Sequence, residues 1–381
     1  MLFNYCKSVV ISVLTGCIVL ITPSCSNEQA AGNNGGTVVD SSSAIADSVR
    51  SSGNTRTSKA DSLSDRFRKI GYHKVVVSSA RILDSLRRVC AKTDSSMTMY
   101  RIITLLNRKD LRFVRLGDTV VMPDSVVDDM LAYSIFPQYW KAADTINKII
   151  VVSAKWQSYA CYERGVLVRF AATNTGEERK PTLPGRYTAN WKQRLRVSSL
   201  NSSWILPYTV NIHKHAGTAF HQFTMPGRPV SHSCLRQLMH DAMWLFNWVA
   251  VPRYDSTSKA TVPKVGTPVL VLDVFDFTRP KGGPWLDVGS NQDVMIELPQ
   301  DPLAMEEALI PISQIPHGGR GSLPNKQRYL TADSVLRERG IIREGVTLRE
   351  SITYRKRKRA TAGSETPSGS PASAPAKSNG N

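Results

Sequence analysis

Apolar positions in the first third of the chain recur at helical spacing. In residues 78–95 (SSARILDSLRRVCAKTDS) and 97–110 (MTMYRIITLLNRKD) they fall three and four residues apart, which predicts two helices. The stretch that follows, LRFVRLGDTVVMPD, contains a Leu-Gly-Asp turn and then a short apolar strand. Residues 67–125 are therefore predicted to form a small α/β module.

A different pattern, β-rich runs separated by turns, fills residues 140–277. The segment KIIVVSAKWQSYACYERGVLVRFAATNTG (148–176) holds two such runs joined at the tripeptide ERG, which is a hairpin signal. From Cys234 to Val249 the apolar residues return to helical spacing, and Ser233 stands where an N-cap is expected. The fold class is predicted to be mainly β, a sandwich with one short helix that carries Cys234.

The N-terminus has the pattern of an exported protein. Residues 1–25 hold one lysine, an apolar run from Val9 to Ile21 and then small residues, and the run is shorter than the ~20 apolar residues of a membrane span. The ending Thr-Pro-Ser-Cys resembles a bacterial lipobox and favours Cys25 over Cys17 as the lipidated residue. A cleaved signal peptide without lipid is the alternative, and both predict export.

Three further segments complete the domain plan. Residues 26–66 are rich in Ser, Gly and Asn and poor in large apolar side chains, so they are predicted to be a flexible linker. Residues 354–381 contain the run RKRKR and are predicted to be a basic disordered tail. Residues 278–353 have Gly- and Pro-rich turns and one helix signal, TADSVLRERG, and are predicted to be a C-terminal extension that covers a cleft.

Charge narrows the class of partner. The 381 residues include 49 Lys and Arg against 31 Asp and Glu, a formal net charge of +18. Such a balance suits an anionic partner: nucleic acid, a membrane surface or a cell-wall polymer. Nucleic acid fits an exported chain poorly, so a membrane surface and a cell-wall polymer remain.

Candidate chemistry concentrates in FHQFTMPGRPVSHSCLRQL, residues 220–238. A cysteine is a nucleophile as its thiolate, and a helix N-terminus beside a protonated histidine favours that form. Cys234 is the candidate nucleophile, and a chain reversal at PGRP would bring His221 beside it as general base. His232 would shape the same pocket, and Arg236 could pair with a substrate carboxylate. These residues point to acyl transfer.

The same residues resemble a known family. SHSCLR, preceded by HQFTMPGRPV, resembles the histidine and cysteine signature of the L,D-transpeptidase (YkuD) family, and TLPGRYTANWK and SSWILPY resemble its turn and cleft segments. The resemblance covers about Lys148 to Phe277 in order. A shorter one, over LLNRKDLRFVRLGDTVVMPD, is to the second half of a wall-binding LysM module, with a packing module that binds no sugar as the alternative.

The family resemblance implies a β-sandwich and a reaction that needs neither metal nor other cofactor. Cys234 would attack the carbonyl between the third and fourth residues of a peptidoglycan stem, release D-alanine and form a thioester. Transfer to an amine of a neighbouring stem would give a 3→3 cross-link. His221 would accept the thiol proton, His232 would hold the site and Ser233 would shape the oxyanion geometry. The substrate contacts implied are Arg236, Trp204, Tyr208 and Ser231. Peptidoglycan stems and a membrane, reached through a lipid, are the expected partners of a monomer at the periplasmic face.

Several alternatives stay open. Ser233 stands where the family usually has glycine, which permits a wall-binding lipoprotein with a degenerate site. The same thioester could end in hydrolysis or exchange, as in a carboxypeptidase or endopeptidase. His215 or His213 could be the base if the longer spacing of some family members applies. Two remaining cysteines, Cys90 and Cys161, could form a disulfide or stay as buried thiols.

Overall fold

The computed structural model describes residues 67–90, 97–198, 203–279 and 281–351. All of these residues belong to one structural unit, Arg56–Asn381, and none belongs to the other, Met1–Thr55. The predicted signal peptide with Cys25, the linker and the basic tail lie outside the described residues. No helix within the described ranges is long and apolar enough to cross a membrane.

In the described ranges the fold contains two larger sheets, two two-stranded sheets and four α-helices. The strands are β1 (Tyr72–Val76), β2 (Thr119–Pro123), β3 (Ile149–Ser153), β4 (Ser158–Glu163), β5 (Val166–Ala172), β6 (Gly185–Thr188), β7 (Trp191–Val197), β8 (Ile205–Asn211), β9 (Ala219–Gln222), β10 (Leu235–Gln237), β11 (Arg253–Asp255), β12 (Ala260–Val262) and β13 (Pro268–Val271). The α-helices are α1 (Ala80–Val89), α2 (Met97–Asn107), α3 (Met239–Trp248) and α4 (Lys326–Glu338). Short 3₁₀ turns occupy Leu111–Phe113, Met130–Tyr133, Lys141–Ala143, Pro284–Asp287, Ile312–Gln314 and His317–Ser322.

The two larger sheets face each other across one core. The five-stranded sheet has the order β5-β4-β3-β13-β6, and the four-stranded sheet has the order β10-β9-β8-β7. Ile150 and Val152 of the first sheet and Val210 and Phe220 of the second belong to the same buried cluster. Full burial of one such aliphatic side chain stabilises the fold by roughly 1.5–3 kcal/mol. The prediction of a mainly β sandwich is confirmed.

Strand β3 is apolar at nearly every position because both faces of its sheet are covered. Ile150 and Val152 point into the sandwich core, whereas Ile149 and Val151 point the other way into a second buried cluster. That second cluster includes Ile102 of α2, together with further side chains of the N-terminal region. A strand buried on both faces loses its alternating pattern. The N-terminal module thus packs on the back of the five-stranded sheet.

The N-terminal module is the predicted α/β unit. Strand β1 pairs antiparallel with β2, and α1 and α2 lie between them in the chain. The Ser79 hydroxyl accepts a hydrogen bond from the Ile82 N–H at 3.4 Å and caps α1. The module has a core of its own, which contains Cys90. Its likeness to a LysM module stays a prediction.

The hairpin predicted at ERG is confirmed. Strands β4 and β5 pair antiparallel across Arg164 and Gly165, whose φ angles are 45° and 74°. Two consecutive left-handed residues give the turn that matches strand twist. A Cβ on Gly165 would lie 2.6 Å from the Trp140 carbonyl oxygen, so this position requires glycine.

The helix predicted to start at Cys234 is wrong in its first turn. Residues Leu235–Gln237 form strand β10, which pairs in parallel with β9, and α3 begins at Met239. Leu238, not Ser233, stands at the N-cap, and no side-chain hydrogen bond caps the helix. Leu235 and Leu238 are apolar in either conformation, so spacing alone could not separate strand from helix. The strand forms because Arg236 also exchanges backbone hydrogen bonds with Asn174, at 3.0 and 3.1 Å.

The C-terminal extension is part of the same core. Seven of its apolar side chains join the sandwich cluster: Ala308, Ile310, Ile315, Leu323, Leu336, Ile342 and Leu348. The predicted helix in this region is confirmed as α4. A buried ion pair ties α3 to the first sheet, since the Nε of Arg169 on β5 donates to Asp241 at 3.1 Å.

Candidate active site

Cys234 is held between a buried strand and a buried turn. Leu235, which follows it, is fully buried in the sandwich core, and the Ser231 hydroxyl donates a hydrogen bond to the Cys234 carbonyl. Ser231 itself is fixed because its N–H donates to the Thr175 carbonyl at 3.1 Å. The thiol lies 3.8 Å from the Gly217 carbonyl oxygen. Its backbone is thus fixed on both sides, while the residue stays partly exposed.

Ser233 has a backbone conformation that glycine adopts more readily than other residues. Its φ is 79°, in the left-handed region, where a side chain costs about 1–2 kcal/mol. Its hydroxyl lies 3.1 Å from the Thr218 hydroxyl, and its carbonyl accepts a hydrogen bond from the Thr182 hydroxyl at 2.9 Å. Two threonines from separate loops therefore hold the strained residue that precedes the nucleophile.

His221, the predicted base, lies on β9. It is 4% exposed, and its Nδ1 lies 3.0 Å from the Gln222 carbonyl oxygen. A carbonyl can only accept, so Nδ1 carries the hydrogen and Nε2 keeps its lone pair. Burial lowers the pKa of His221 to about 4, which the bond to Gln222 opposes and the nearby Arg236 reinforces. The imidazole is therefore neutral and able to accept a proton at neutral pH.

The candidate nucleophile and the predicted base open onto one small pocket. Its volume is about 50 Å³, and its lining includes Ser198, Trp204, Leu206, His221, Phe223, Ser231, His232, Cys234 and Arg236. The ring of Trp204 contacts both Phe223 and His232, with centroids 6.0 Å apart in each case. Six residues chosen from the sequence, His221, Trp204, Ser231, His232, Cys234 and Arg236, thus meet in one place.

His232 and Cys234 also line a second cavity. This cavity has a volume of about 120 Å³ and includes Ser233 in its wall. Gln314 and Ser351 of the C-terminal extension line it as well. The expectation that the extension covers the cleft is met at these two residues. Burial lowers the pKa of His232, so it too is a neutral imidazole at neutral pH.

The resting thiol is protonated rather than ionised. Burial raises the pKa of Cys234, although the Ala219 N–H and the guanidinium groups of Arg236 and Arg196 favour the thiolate. With a neutral His221 and no helix at Cys234, the predicted stabilisation by a helix N-terminus and a protonated histidine is wrong. The geometry instead suits transfer of the thiol proton to a base during attack.

Arg236 is largely occupied by its own surroundings. Its guanidinium donates to the Thr224 carbonyl at 3.3 Å and to the Val230 carbonyl at 3.2 Å, and it lies 4.7 Å from the centroid of the Phe223 ring. It also donates to the Thr224 hydroxyl at 3.2 Å. These contacts tie the PGRP turn to β10. The predicted carboxylate contact competes with them for the same guanidinium.

Three residues chosen from the sequence lie elsewhere. The ring of Tyr208 packs edge-on against Phe246 of α3, with centroids 5.5 Å apart, and Tyr208 lines neither cavity at Cys234. His213 and His215 line a separate cavity beside Tyr329 of α4. The Nδ1 of His213 accepts the Ala216 N–H at 3.0 Å and so organises its own loop. The structure therefore favours His221 as the base.

The structure also bears on the remaining cysteines, on metal binding and on site residues that the sequence did not indicate. Cys90 and Cys161 are free, buried thiols that belong to different cores, so they do not form the alternative disulfide. Within the described ranges, no group of three or more His, Cys, Asp or Glu side chains is placed to hold a metal ion. Sequence reasoning missed Thr182, Thr218 and Lys180, because only the folded loops bring them to Cys234.

The chain was compared with protein-family models, curated proteins and solved structures. Residues 147–271, about a third of the chain, match the family model described as the YkuD L,D-transpeptidase catalytic domain. No curated protein gives a significant match. One similar solved structure is an L,D-transpeptidase from Mycobacterium smegmatis, with 17% identity and a TM-score of 0.27, covering 33% of this chain and 58% of that one. Another is an L,D-transpeptidase from Xylanimonas cellulosilytica, with 18% identity and a TM-score of 0.32, covering 53% of this chain and 97% of that one. The chain covers 58–61% of the mycobacterial structures that it matches first.

Proposed function

We propose that residues 147–271, an L,D-transpeptidase catalytic domain of the YkuD family, carry out acyl transfer on peptidoglycan stem peptides with Cys234 as nucleophile. The observation that carries the proposal is the shared pocket of Cys234 and His221. The thiol is protonated, and the imidazole is neutral with its Nε2 lone pair available. A nucleophile and a base that open onto one pocket are the minimum requirement for thioester chemistry.

The acylation step follows from these protonation states. His221 Nε2 accepts the thiol proton as Sγ attacks the carbonyl carbon between the third and fourth stem residues. The carbonyl oxygen becomes an oxyanion, and the backbone N–H groups of Ser233 and Cys234 are the proposed donors to it. When the C–N bond breaks, His221 returns the proton to the departing amine. D-alanine leaves, and the acyl group remains on Cys234 as a thioester.

The second step regenerates the thiol. An amine of a neighbouring stem attacks the thioester carbonyl, its proton passes to His221, and Cys234 leaves as the thiolate and is then reprotonated. The product is a 3→3 cross-link. Water or a free D-amino acid at the same position would give hydrolysis or exchange instead, and analysis of the products distinguishes the three.

The proposal also includes a location for the enzyme. The signal pattern in residues 1–25 supports a proposal of export with a lipid on Cys25, and such a lipid would hold the domain at the periplasmic face of a bacterial membrane. Mass spectrometry of the N-terminal peptide from wild-type cells and from a Cys25→Ala strain tests the lipid. A wild-type peptide without an acyl mass would refute it.

Release of D-alanine from a disaccharide-tetrapeptide tests the chemistry. We expect the full chain to release D-alanine and Cys234→Ala to release none while keeping its melting temperature. Cys90→Ala serves as the matched control, since it removes a buried thiol from the N-terminal module. D-alanine release by Cys234→Ala at the wild-type rate would contradict the assignment.

A further inference from the structure

The cavity of about 120 Å³ beside Cys234 is strongly electropositive. Its wall contains Lys180, Arg196 and Lys214, and none of the described residues that line it is acidic. The cavity is well above the 10–15 Å³ that one water molecule needs, so it admits a polar group of a substrate. A cation-lined pocket without a carboxylate attracts an anionic ligand.

Lys180 is the most buried of the three cations. It is 6% exposed, whereas Lys214 is on the surface and the Arg196 guanidinium stacks on the Trp191 ring at 4.6 Å. Within the part of the chain that the structure describes, the Lys180 ammonium makes no hydrogen bond and no ion pair within 4 Å. The side chain is largely withdrawn from solvent, and an ammonium that loses part of its water without gaining acceptors is destabilised. A bound anion would supply the missing acceptors.

The loop that carries Lys180 is closed by hydrogen bonds and is joined to the residue before Cys234. The Lys180 N–H donates to the Glu177 carbonyl at 2.9 Å, and the Gly176 N–H donates to the Thr182 hydroxyl at 3.0 Å. A Cβ on Gly176 would lie 2.1 Å from the Lys180 carbonyl oxygen, so the loop can close only with glycine there. The Thr182 hydroxyl then donates to the carbonyl of Ser233. The position of Lys180 is therefore set relative to the residue before Cys234.

We propose that Lys180 binds the terminal carboxylate of the stem residue that leaves during acylation, and so selects stems that end at that residue. The proposal rests on the proposed function. The terminal carboxylate lies one residue beyond the attacked carbonyl, and one residue spans at most ~3.6 Å. A cation in a cavity that Cys234 itself lines is placed for that carboxylate. Arg236, the residue expected from the sequence to do this, is held by Thr224 and Val230 and does not line this cavity.

The charge on Lys180 gives the interaction a pH signature. Burial, reinforced by Arg349, lowers the pKa of Lys180 to about 8, so the ammonium is mostly charged at neutral pH and loses its charge above pH 8. The other charged or titratable groups that face it are Glu350, Glu177, Arg320 and His232. Preference for a free carboxylate should therefore decline as the pH rises through 8.

The test pairs a change in the protein with a change in the substrate. Acylation of the full chain is measured with a tetrapeptide stem that has either a free C-terminal carboxylate or a C-terminal amide. Wild type should prefer the free carboxylate about 10- to 150-fold in kcat/KM, the range expected for one charge-assisted hydrogen bond. Lys180→Met should acylate both substrates at the rate that wild type shows with the amide. Lys264→Met, which removes an exposed lysine outside both cavities, should keep the preference.

A second variant guards against a folding defect. Lys180→Arg keeps the charge at all accessible pH values, so its preference for the free carboxylate should persist above pH 9, where that of wild type declines. The alkylation rate of Cys234 should be the same in Lys180→Met as in wild type, which excludes an effect through the thiol.

The outcomes separate the two proposals. Acylation by wild type with a preference that Lys180→Met retains in full would overturn the role of Lys180 and leave the proposed function intact. A wild-type preference that does not change between pH 7 and 9.5 would also overturn it. Failure of wild type to form a thioester with either stem would overturn the proposed function, and the role of Lys180 with it.

Discussion

The contact between Ser233 and Thr218 gives a prediction about coupled substitutions. Ser233 has a φ of 79°, and its hydroxyl pairs with that of Thr218, which is 2% exposed. Replacing Ser233 by glycine relieves backbone strain but leaves a buried hydroxyl without this partner. Replacing Thr218 by valine removes the buried hydroxyl but leaves Ser233 strained and without its partner. Each single substitution leaves one hydroxyl without its partner, whereas the double variant contains neither hydroxyl.

The magnitudes follow from three terms. Relief of the left-handed strain is worth about 1 kcal/mol after the extra chain entropy of glycine is subtracted. An unpaired buried hydroxyl costs about 1–3 kcal/mol. We therefore expect Ser233→Gly and Thr218→Val each to lower the free energy of unfolding by about 1 kcal/mol. The double variant lacks both hydroxyls and the strain, and should lie within about 0.5 kcal/mol of wild type.

The assay is urea unfolding of the full chain in wild type, both single variants and the double variant. The expected coupling is about 1.5 to 2.5 kcal/mol, inside the range of roughly 0.5–3 kcal/mol for residues in contact. Equal slopes of unfolding free energy against urea are required for the comparison. Additivity within ~0.5 kcal/mol would refute the reasoning. Ser233→Gly should keep or raise the acylation rate, and a complete loss would show a specific role for the serine.

Three further predictions concern the base, the thiol and the buried ion pair. His221→Gln should slow acylation, measured by single-turnover mass spectrometry, by about 10²–10⁴-fold, and His215→Gln should leave the rate unchanged. The reverse result would assign His215 as the base. Alkylation of Cys234 by iodoacetamide should have its midpoint above the ordinary thiol value of ~8.5, and Arg196→Met should move it higher because a charge that favours the thiolate is lost; a midpoint below 7 would contradict a protonated thiol. Asp241→Asn should lower the free energy of unfolding by about 3 kcal/mol at pH 7, since it leaves the buried Arg169 guanidinium unpaired. Burial raises the pKa of Asp241, but His240 and the guanidinium outweigh burial and lower that pKa. The stability that the ion pair contributes is therefore present above pH ~4 and is lost as the pH falls further.

The elements that the sequence predicted well are those whose signal is local. The ERG hairpin and the helices α1, α2 and α4 follow from turn chemistry and spacing, and the structure contains all four. Strand β10 could not be predicted because Leu235 and Leu238 fit a helical stripe equally well. Its pairing with β9 and with Asn174 joins separate segments of the chain, and periodicity contains no information about such pairing.

In the candidate site, too, the residues predicted correctly are those with a local sequence signal. Cys234, His221 and His232 lie close in the chain, and the structure brings them to one pocket. Tyr208 was predicted at the cleft from the segment that contains it, yet its side chain faces α3, and its φ of 53° marks an irregularity in β8 that the sequence does not signal. Lys180 was missed because its approach to Cys234 depends on a loop closed by hydrogen bonds from Gly176 and Thr182.

Intact mass spectrometry of the full chain after brief incubation with a disaccharide-tetrapeptide tests the central claim most directly. The account predicts a covalent adduct with the mass of the substrate less D-alanine, located on Cys234 by peptide mapping, and one D-alanine released per adduct. The adduct should be absent from Cys234→Ala and should decay when an amine acceptor is added. An unmodified protein with a reactive Cys234 thiol, or an equal adduct on Cys234→Ala, would contradict the account.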